Sequence, residues 1–354
     1  MKRVLFFSVL CLTLNACSDD STPEVEDTTV EQETITLSVV KENINVGLYP
    51  NRILQDGKSL YVVNSGDNTI GKLNLSDYSY DNNFITLDQN TNPYSFSIKD
   101  GHLYISSSGK LSETFTPDDI IVDVDLSTGN KTTVLSSLYM ASDIITSKCV
   151  EFVESEYDYS NSVASGKFTQ YCNESKTTVS TTCKNPTRVV ARDDGYIVTC
   201  SGIYTYDDNY SIVGTDGSGV CFYTSQITED TCILANKDTG APSVGKTTSI
   251  IGATYSGKMQ ILVDKQTEEV ELSNGTMLVP VHLKDDVYAI AAFNTNIIYI
   301  YDANNKKVLT EYKLSKTDLD KRGPLDIVYL QSDNKLAILN SLSSTVDILS
   351  ITEK

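Results

Sequence analysis

The chain has 354 residues, 40% of them hydrophobic, 8% aromatic and 21% charged, which is enough apolar material for a large folded core and excludes a disordered tail. Its 47 acidic residues against 28 basic ones give a formal net charge of −19, which argues against a nucleic-acid partner. Two histidines and no tryptophan exclude a His-rich zinc or iron site and confine any His-based triad to His102 or His282.

Residues 1–16, MKRVLFFSVLCLTLNA, combine a basic start at Lys2 and Arg3 with an apolar run from Val4 to Leu14, the layout of a secretory signal. The exit Leu14-Asn15-Ala16-Cys17 resembles the lipobox of bacterial lipoproteins. That resemblance implies cleavage before Cys17, lipid on its sulfur and an acylated amino group (palmitate in the usual case), and so a stable membrane anchor. Ser18 resembles the outer-membrane signal of enteric bacteria. Asp19 and Asp20 resemble the acidic surface-export tract of some Bacteroidota lipoproteins, so the periplasmic and outward orientations both stay open. Residues 17–32, rich in Asp and Glu and poor in apolar side chains, predict an extended acidic tether.

From residue 33 onward, short apolar or Tyr-rich runs alternate with Asp-Gly, Asn-Gly and Asp-Asn turns, an all-β pattern. Pro50, Pro93, Pro186 and Pro324 each precede a strand, a polar turn and a second strand ending near Asn or Ser. They lie 43, 93 and 138 residues apart in turn, close to one, two and three units of 46. Weaker starts near Ser142, Thr247 and Asp286 complete seven units over residues 33–354. Four strands per unit cannot bury both sheet faces alone, so radial stacking into a seven-bladed β-propeller is expected in preference to two β-sandwiches. The early run Ile35–Val40 is placed to pair with the last sheet and close the ring.

The segment Leu60-Tyr61-Val62-Val63-Asn64-Ser65-Gly66-Asp67-Asn68-Thr69-Ile70 is similar to the repeat of YVTN-type bacterial β-propellers, with a weaker echo at LAILNSLSSTVDILSI near the C-terminus. The resemblance implies a seven-bladed extracytoplasmic propeller. It assigns the Asn and Gly to an inter-strand turn and the flanking apolar residues to blade packing, and it transfers no catalytic residue.

Six cysteines follow Cys17: Cys149, Cys172, Cys183, Cys200, Cys221 and Cys232. In an oxidising compartment this even set predicts three disulfides in a Cys-rich sector at 149–232. Fifteen pairings are open, with Cys172–Cys183 and Cys221–Cys232 suited to local closure. Most tyrosines sit in strands, but Tyr157, Tyr159, Tyr204, Tyr206 and Tyr210 lie among polar turns and form the candidate recognition surface. Gly240–Thr247 satisfies a phosphate-loop pattern but precedes a β-branched run rather than a helix, so a blade-connecting loop is expected. Asp and Asn clusters fit no EF-hand spacing. Calcium held by inner-strand residues such as Asn64, Asp326 and Asn340 is the cofactor alternative, and would make a calcium-dependent esterase or lactonase. The favoured expectation is a non-enzymatic binding or scaffolding module, lipid-anchored at the outer membrane, with a protein or envelope ligand, no predicted cofactor and no catalytic residue.

Overall fold

Turn-bounded runs become strands of three to eleven residues, and the side chains that alternate along them decide how the strands assemble. The computed structural model describes residues 34–88, 91–107, 118–158, 163–234, 237–314 and 321–353. The expected signal, Cys17 and the tether lie outside the described residues, and residues 34–354 form one unit. No helix among the described residues is long and apolar enough to cross a membrane.

The chain enters through β1 (Ile35–Asn45) and then builds four-stranded antiparallel sheets in succession. The first holds β2 (Pro50–Asp56), β3 (Ser59–Asn64), β4 (Thr69–Asn74) and β5 (Tyr80–Thr86), and the second β6 (Pro93–Lys99), β7 (His102–Ser107), β8 (Asp119–Asp125) and β9 (Lys131–Leu138). The third holds β10 (Ala141–Ile145), β11 (Val150–Asp158), β12 (Val163–Cys172) and β13 (Ser175–Thr181). In the fourth, β14 (Pro186–Arg192) and β15 (Gly195–Cys200) are followed by an inserted hairpin, β16 (Ile203–Tyr206) and β17 (Ile212–Asp216), before β18 (Gly219–Thr224) and β19 (Glu229–Leu234) complete the sheet. The fifth holds β20 (Pro242–Val244), β21 (Ser249–Ile251), β22 (Lys258–Val263) and β23 (Gln266–Glu271), and the sixth β24 (Leu278–Lys284), β25 (Val287–Ala292), β26 (Ile297–Asp302) and β27 (Lys307–Lys313). The seventh consists of β28 (Pro324–Leu330), β29 (Lys335–Asn340) and β30 (Thr345–Glu353), with β1 as its outer strand.

These seven sheets are the blades of a β-propeller. Their apolar residues fall into seven buried clusters, one at each junction between neighbouring sheets, so every blade buries both faces. Along β3, Leu60 and Val62 pack toward the seventh blade while Tyr61 and Val63 pack toward the second. Closure is the pairing of β1 with β30, from Ile35 opposite Glu353 to Asn45 opposite Thr345, which covers an edge and extends the expected Ile35–Val40 strand to Asn45.

The inner strands β2, β6, β10, β14, β20, β24 and β28 touch in a closed ring. Pro50, Pro93, Pro186 and Pro324 begin four of them, as expected, and Ser142 lies in β10. The starts expected near Thr247 and Asp286 are corrected to Pro242 and Leu278: both residues sit in the following hairpin turns, because β20 has only three residues and β24 carries its proline at its third position. In six blades the inner strand's first residue pairs with the last residue of the second strand, as Pro50 does with Asn64, and in the third Ala141 pairs with Glu154 because β11 runs on to Asp158; all seven starts therefore share one end, the entry face. Around that face the residue before the inner strand accepts a hydrogen bond from the residue that follows the partner of the inner strand's first residue. Tyr49 accepts from Ser65, Met140 from Ser155, Asn185 from Ser201 and Gly323 from Ser341.

Candidate functional site

A propeller channel is lined by inner strands, and here the third residue is polar in five of the seven, Arg52, Ser95, Asp143, Arg188 and Asp326, with Val244 and Pro280 in the other two. Asp143 is buried and is the hub of the cluster. Its Oδ1 accepts from Ser95 Oγ at 2.7 Å and Arg52 Nη2 at 3.0 Å, and its Oδ2 accepts from the Val189 backbone N–H at 3.0 Å. Arg188 Nη1 stands 3.7 Å from the same Oδ1 and has no hydrogen-bond partner among the described residues. Asp326 repeats the arrangement at another junction of the ring, accepting from Ile53 N–H at 3.0 Å with Arg52 Nη1 at 3.6 Å. An aspartate on one blade thus caps the next blade's inner strand and faces that blade's arginine, at both the third-to-fourth and the seventh-to-first junctions. Burial pulls the Arg52 pKa down, but the Asp143 and Asp326 carboxylates outweigh it and hold the guanidinium above its ordinary value.

The entry face also carries exposed apolar side chains. Of twelve exposed large hydrophobic residues among those described, nine lie at the entry face: Leu48, Tyr49, Tyr94, Met140, Tyr206, Tyr210, Val213, Leu234 and Leu342. Tyr49, 73% exposed, adopts φ +49°, in the left-handed region, where the equivalent residues before the other inner-strand prolines are Asn92, Asn185 and Gly323. A bulky side chain is disfavoured there. Gly66 accommodates it, because a Cβ at Gly66 would lie 2.5 Å from the Tyr49 ring.

The residues expected to form a recognition surface divide. Tyr206 and Tyr210 are exposed, the latter at 88%, on the β16–β17 hairpin. Tyr204 is corrected to a packing role: its hydroxyl lies 3.0 Å from Thr254 Oγ1 and its ring stands edge-on to Tyr255, so it fixes the hairpin to the fifth blade. Tyr157 lies in β11, where its backbone pairs with Ala164, and Tyr159 lies outside the described residues. Arg52, Asp143, Arg188, Tyr49 and Tyr94 were not singled out by motif. The signal for the first three was a charged third residue, two positions after the strand's start, in each of their inner strands.

Asn64, Asn340 and Asp326 do not share a calcium cage. Asn64 Oδ1 accepts from Gly47 N–H at 3.1 Å while its amide lies 3.1 Å from Thr69 Oγ1, and Asn340 stands 3.3 Å from Thr345 Oγ1 and 2.8 Å from Asp347. Both end second strands rather than lying in inner strands as expected, whereas Asp326 is in an inner strand and faces N–H donors and a guanidinium. This donor set does not fit the ion. The phosphate-loop pattern spans the start of the fifth blade: Pro242–Val244 is an inner strand and Gly245–Thr248 its hairpin turn. The amides a phosphate would need are taken, since Thr247 and Thr248 N–H donate to Asp286 at 2.8 and 2.7 Å. Burial raises the Asp286 pKa, but these bonds and the two threonine hydroxyls prevail and hold it well below the carboxylate range.

At the opposite end, His102 Nδ1 lies 2.9 Å from Asp123 Oδ1 in a cleft of about 450 Å³, and that hydrogen bond holds its pKa above the ordinary histidine value. The lining contains no serine or free thiol to act as a nucleophile among the described residues. His282 Nε2 meets the Asp285 carbonyl at 2.8 Å, a turn contact.

All six cysteines pair, as Cys149–Cys172, Cys183–Cys200 and Cys221–Cys232. The local Cys172–Cys183 pairing is corrected: β11 and β12 set Val150 opposite Tyr171, which brings Cys149 and Cys172 together across the hairpin. Cys221 and Cys232 are directly opposed on β18 and β19.

No protein-family model matches the chain, and no curated protein sequence does. Solved propellers resemble it in fold. Hydrazine synthase of Kuenenia stuttgartiensis superposes with a TM-score of 0.62 at 11% identity, covering 85% of this chain and 95% of that one. The β-propeller domain of Myceliophteria thermophila Cps50 (Swd1) gives 0.59 at 10%, covering 91% and 100%. The extracellular domain of the putative one-component system BT4673 from B. thetaiotaomicron gives 0.57 at 12%, covering 88% and 40%.

Proposed function

We propose that this chain is a lipid-anchored outer-membrane protein of the YVTN-type propeller kind, whose ring is a non-enzymatic binding or scaffolding module. The observation that carries the reading is the concentration of exposed aromatic and aliphatic side chains at one end of the ring, around a mouth of fixed charges. Aromatic groups beside arginine are what protein interfaces enrich, and a rigid scaffold lowers the ordering cost of presenting them. The fold by itself does not select this function, since its structural neighbours include an enzyme as well as an extracellular domain. The partner is a protein or an envelope ligand.

The test places a photo-crosslinking residue at position 210 in the native envelope. A discrete adduct is expected that Tyr49→Ser and Tyr206→Ala weaken and that Lys58→Ala, in the β2–β3 turn at the opposite end, leaves alone. An adduct insensitive to the entry-face variants sinks the recognition surface. Cys17→Ala should move the protein from the membrane to the soluble fraction and abolish fatty-acid labelling; retention in the membrane sinks the anchor.

A further inference from the structure

Four of the six cysteines lie close together in the fourth blade. Cys183 occupies the connection before β14, Cys200 ends β15, and Cys221 and Cys232 oppose one another on β18 and β19. The two disulfides touch: Cys221 Sγ is 3.2 Å from Cys183 Sγ, and the sulfurs of Cys183, Cys221 and Cys232 all lie within 4.8 Å of one another. Their exposures differ. Cys183, Cys200 and Cys221 are buried, while Cys232 is half-buried.

We propose that Cys232 is a modification site for a small thiol and that its modification shifts the second disulfide by an internal relay. The incoming thiolate attacks Cys232 Sγ, the accessible sulfur of its bond, forming a mixed disulfide and releasing the Cys221 thiolate. That thiolate is buried among Val198, Tyr223 and Ile227, where its charge is destabilised. The sulfur already in contact with it belongs to Cys183. Attack there forms Cys183–Cys221 and breaks Cys183–Cys200, and the released Cys200 thiolate takes a proton from water. Two disulfides and one thiol enter the sequence and two disulfides and one thiol leave it, so no oxidant or reductant is consumed. The product leaves Cys200 as a buried neutral thiol in an apolar cluster, a favourable state for that side chain.

The relay has a structural consequence at the entry face. Lys184, next to Cys183, donates its N–H to Gly217 O at 2.8 Å, accepts from Gly202 N–H at 3.0 Å and pairs with Asp216 at 2.7 Å. These residues are the root of the hairpin inserted between β15 and β18. Moving the Cys183 bond from β15 to β18 changes which side of that hairpin the connection is tied to.

The test incubates the fully oxidised protein with glutathione under native conditions, quenches with an alkylating agent and maps the cysteines by mass spectrometry of unreduced tryptic and chymotryptic peptides. The expected product carries glutathione on Cys232, a Cys183–Cys221 bond and an alkylated Cys200. The Cys200→Ser variant needs no added thiol: its Cys183 should take Cys221 and leave Cys232 free to be alkylated. Glutathione on Cys232 together with an alkylated Cys221 and an intact Cys183–Cys200 bond would overturn the relay. So would a Cys221–Cys232 bond that persists in Cys200→Ser, and complete resistance of the native protein would overturn Cys232 as the entry point.

Discussion

Replacing Asp143 by Asn asks whether the channel mouth is held by charge or by shape alone. The amide keeps an oxygen for the Val189 N–H but removes the negative charge that faces Arg52 Nη2 at 3.0 Å and Arg188 Nη1 at 3.7 Å. The Asp143 side chain is only 1% exposed, so water screens this loss little. Breaking a buried pair by removing one partner costs ~3–5 kcal/mol. Arg52 retains Asp326 at 3.6 Å and the Arg52 and Arg188 side chains are 21% and 18% exposed, which puts the expected loss near the lower end, about 3 kcal/mol. At ~2.1 cal/mol/K per residue, a unit of about 320 residues has an unfolding entropy near 0.7 kcal/mol/K. The melting temperature should therefore fall by roughly 4 to 5 °C, read by calorimetry at pH 7. Adding Arg188→Gln to Asp143→Asn removes a guanidinium that has lost its counter-charge and should recover at least ~1 kcal/mol. A fall of less than about 1 °C in the single variant, or simple additivity of losses in the double variant, refutes the charge argument.

Tyr49→Asn should raise stability by ~0.5–1 kcal/mol, because Asn tolerates the left-handed backbone that Tyr occupies at φ +49°, and should weaken crosslinking from the entry face; unchanged denaturant midpoint and crosslinking together count against a binding use for this tyrosine. Burial, with Asp118 and Glu154 nearby, pushes the Asp119 pKa up to about 6 from 3.8 despite the hydrogen bond from Ala141 N–H. The folded state then binds the proton more tightly than the unfolded state, so the Asp119 contribution is full below pH 4 and is lost as pH rises from 4 to 6. The melting temperature of Asp119→Asn should accordingly match the parent at pH 4 and exceed it by a constant margin above pH 6, and a flat difference across that range would contradict the assignment. Deleting residues 35–45 removes the buried Ile35 and Ile44 and uncovers the edge of β30, so size-exclusion chromatography should show self-association; a stable monomer would mean that closure by β1 is dispensable.

The ring was legible in the sequence and its mouth was not, for a physical reason. Pro50, Pro93, Pro186 and Pro324, and the run from Leu60 to Asn64, are local signals: each blade repeats the same strand, turn and packing needs, so each unit writes the same pattern over a few tens of residues. The misplaced starts at Thr247 and Asp286 fall where that pattern is shortest, in the three-residue β20 and the proline-interrupted β24. The mouth is written differently. Arg52 meets Asp143 across 91 residues and Asp143 caps Val189 across 46, distances that stacking of the blades removes, and Asp326 caps Ile53 across 273, which closure of the ring removes. No spacing rule joins such residues before the number of blades and their phase are known.

Once the phase is known, departures from the repeat carry the information that the repeat itself cannot. The residue before the inner-strand proline is Asn, Asn or Gly in three blades and a strained, exposed Tyr49 in the first. The third inner-strand residue is Ser95 in the second blade but Arg or Asp in the first, third, fourth and seventh. The turn between the second and third strands is four residues in the first and seventh blades, whereas in the fourth it is a hairpin bearing Tyr206 and Tyr210. A ring needs none of these departures to fold, and the Tyr49 conformation works against it. All three occur at the entry face or within three residues of it, which is why the proposed binding role is placed at that face and not at the clefts at the opposite end.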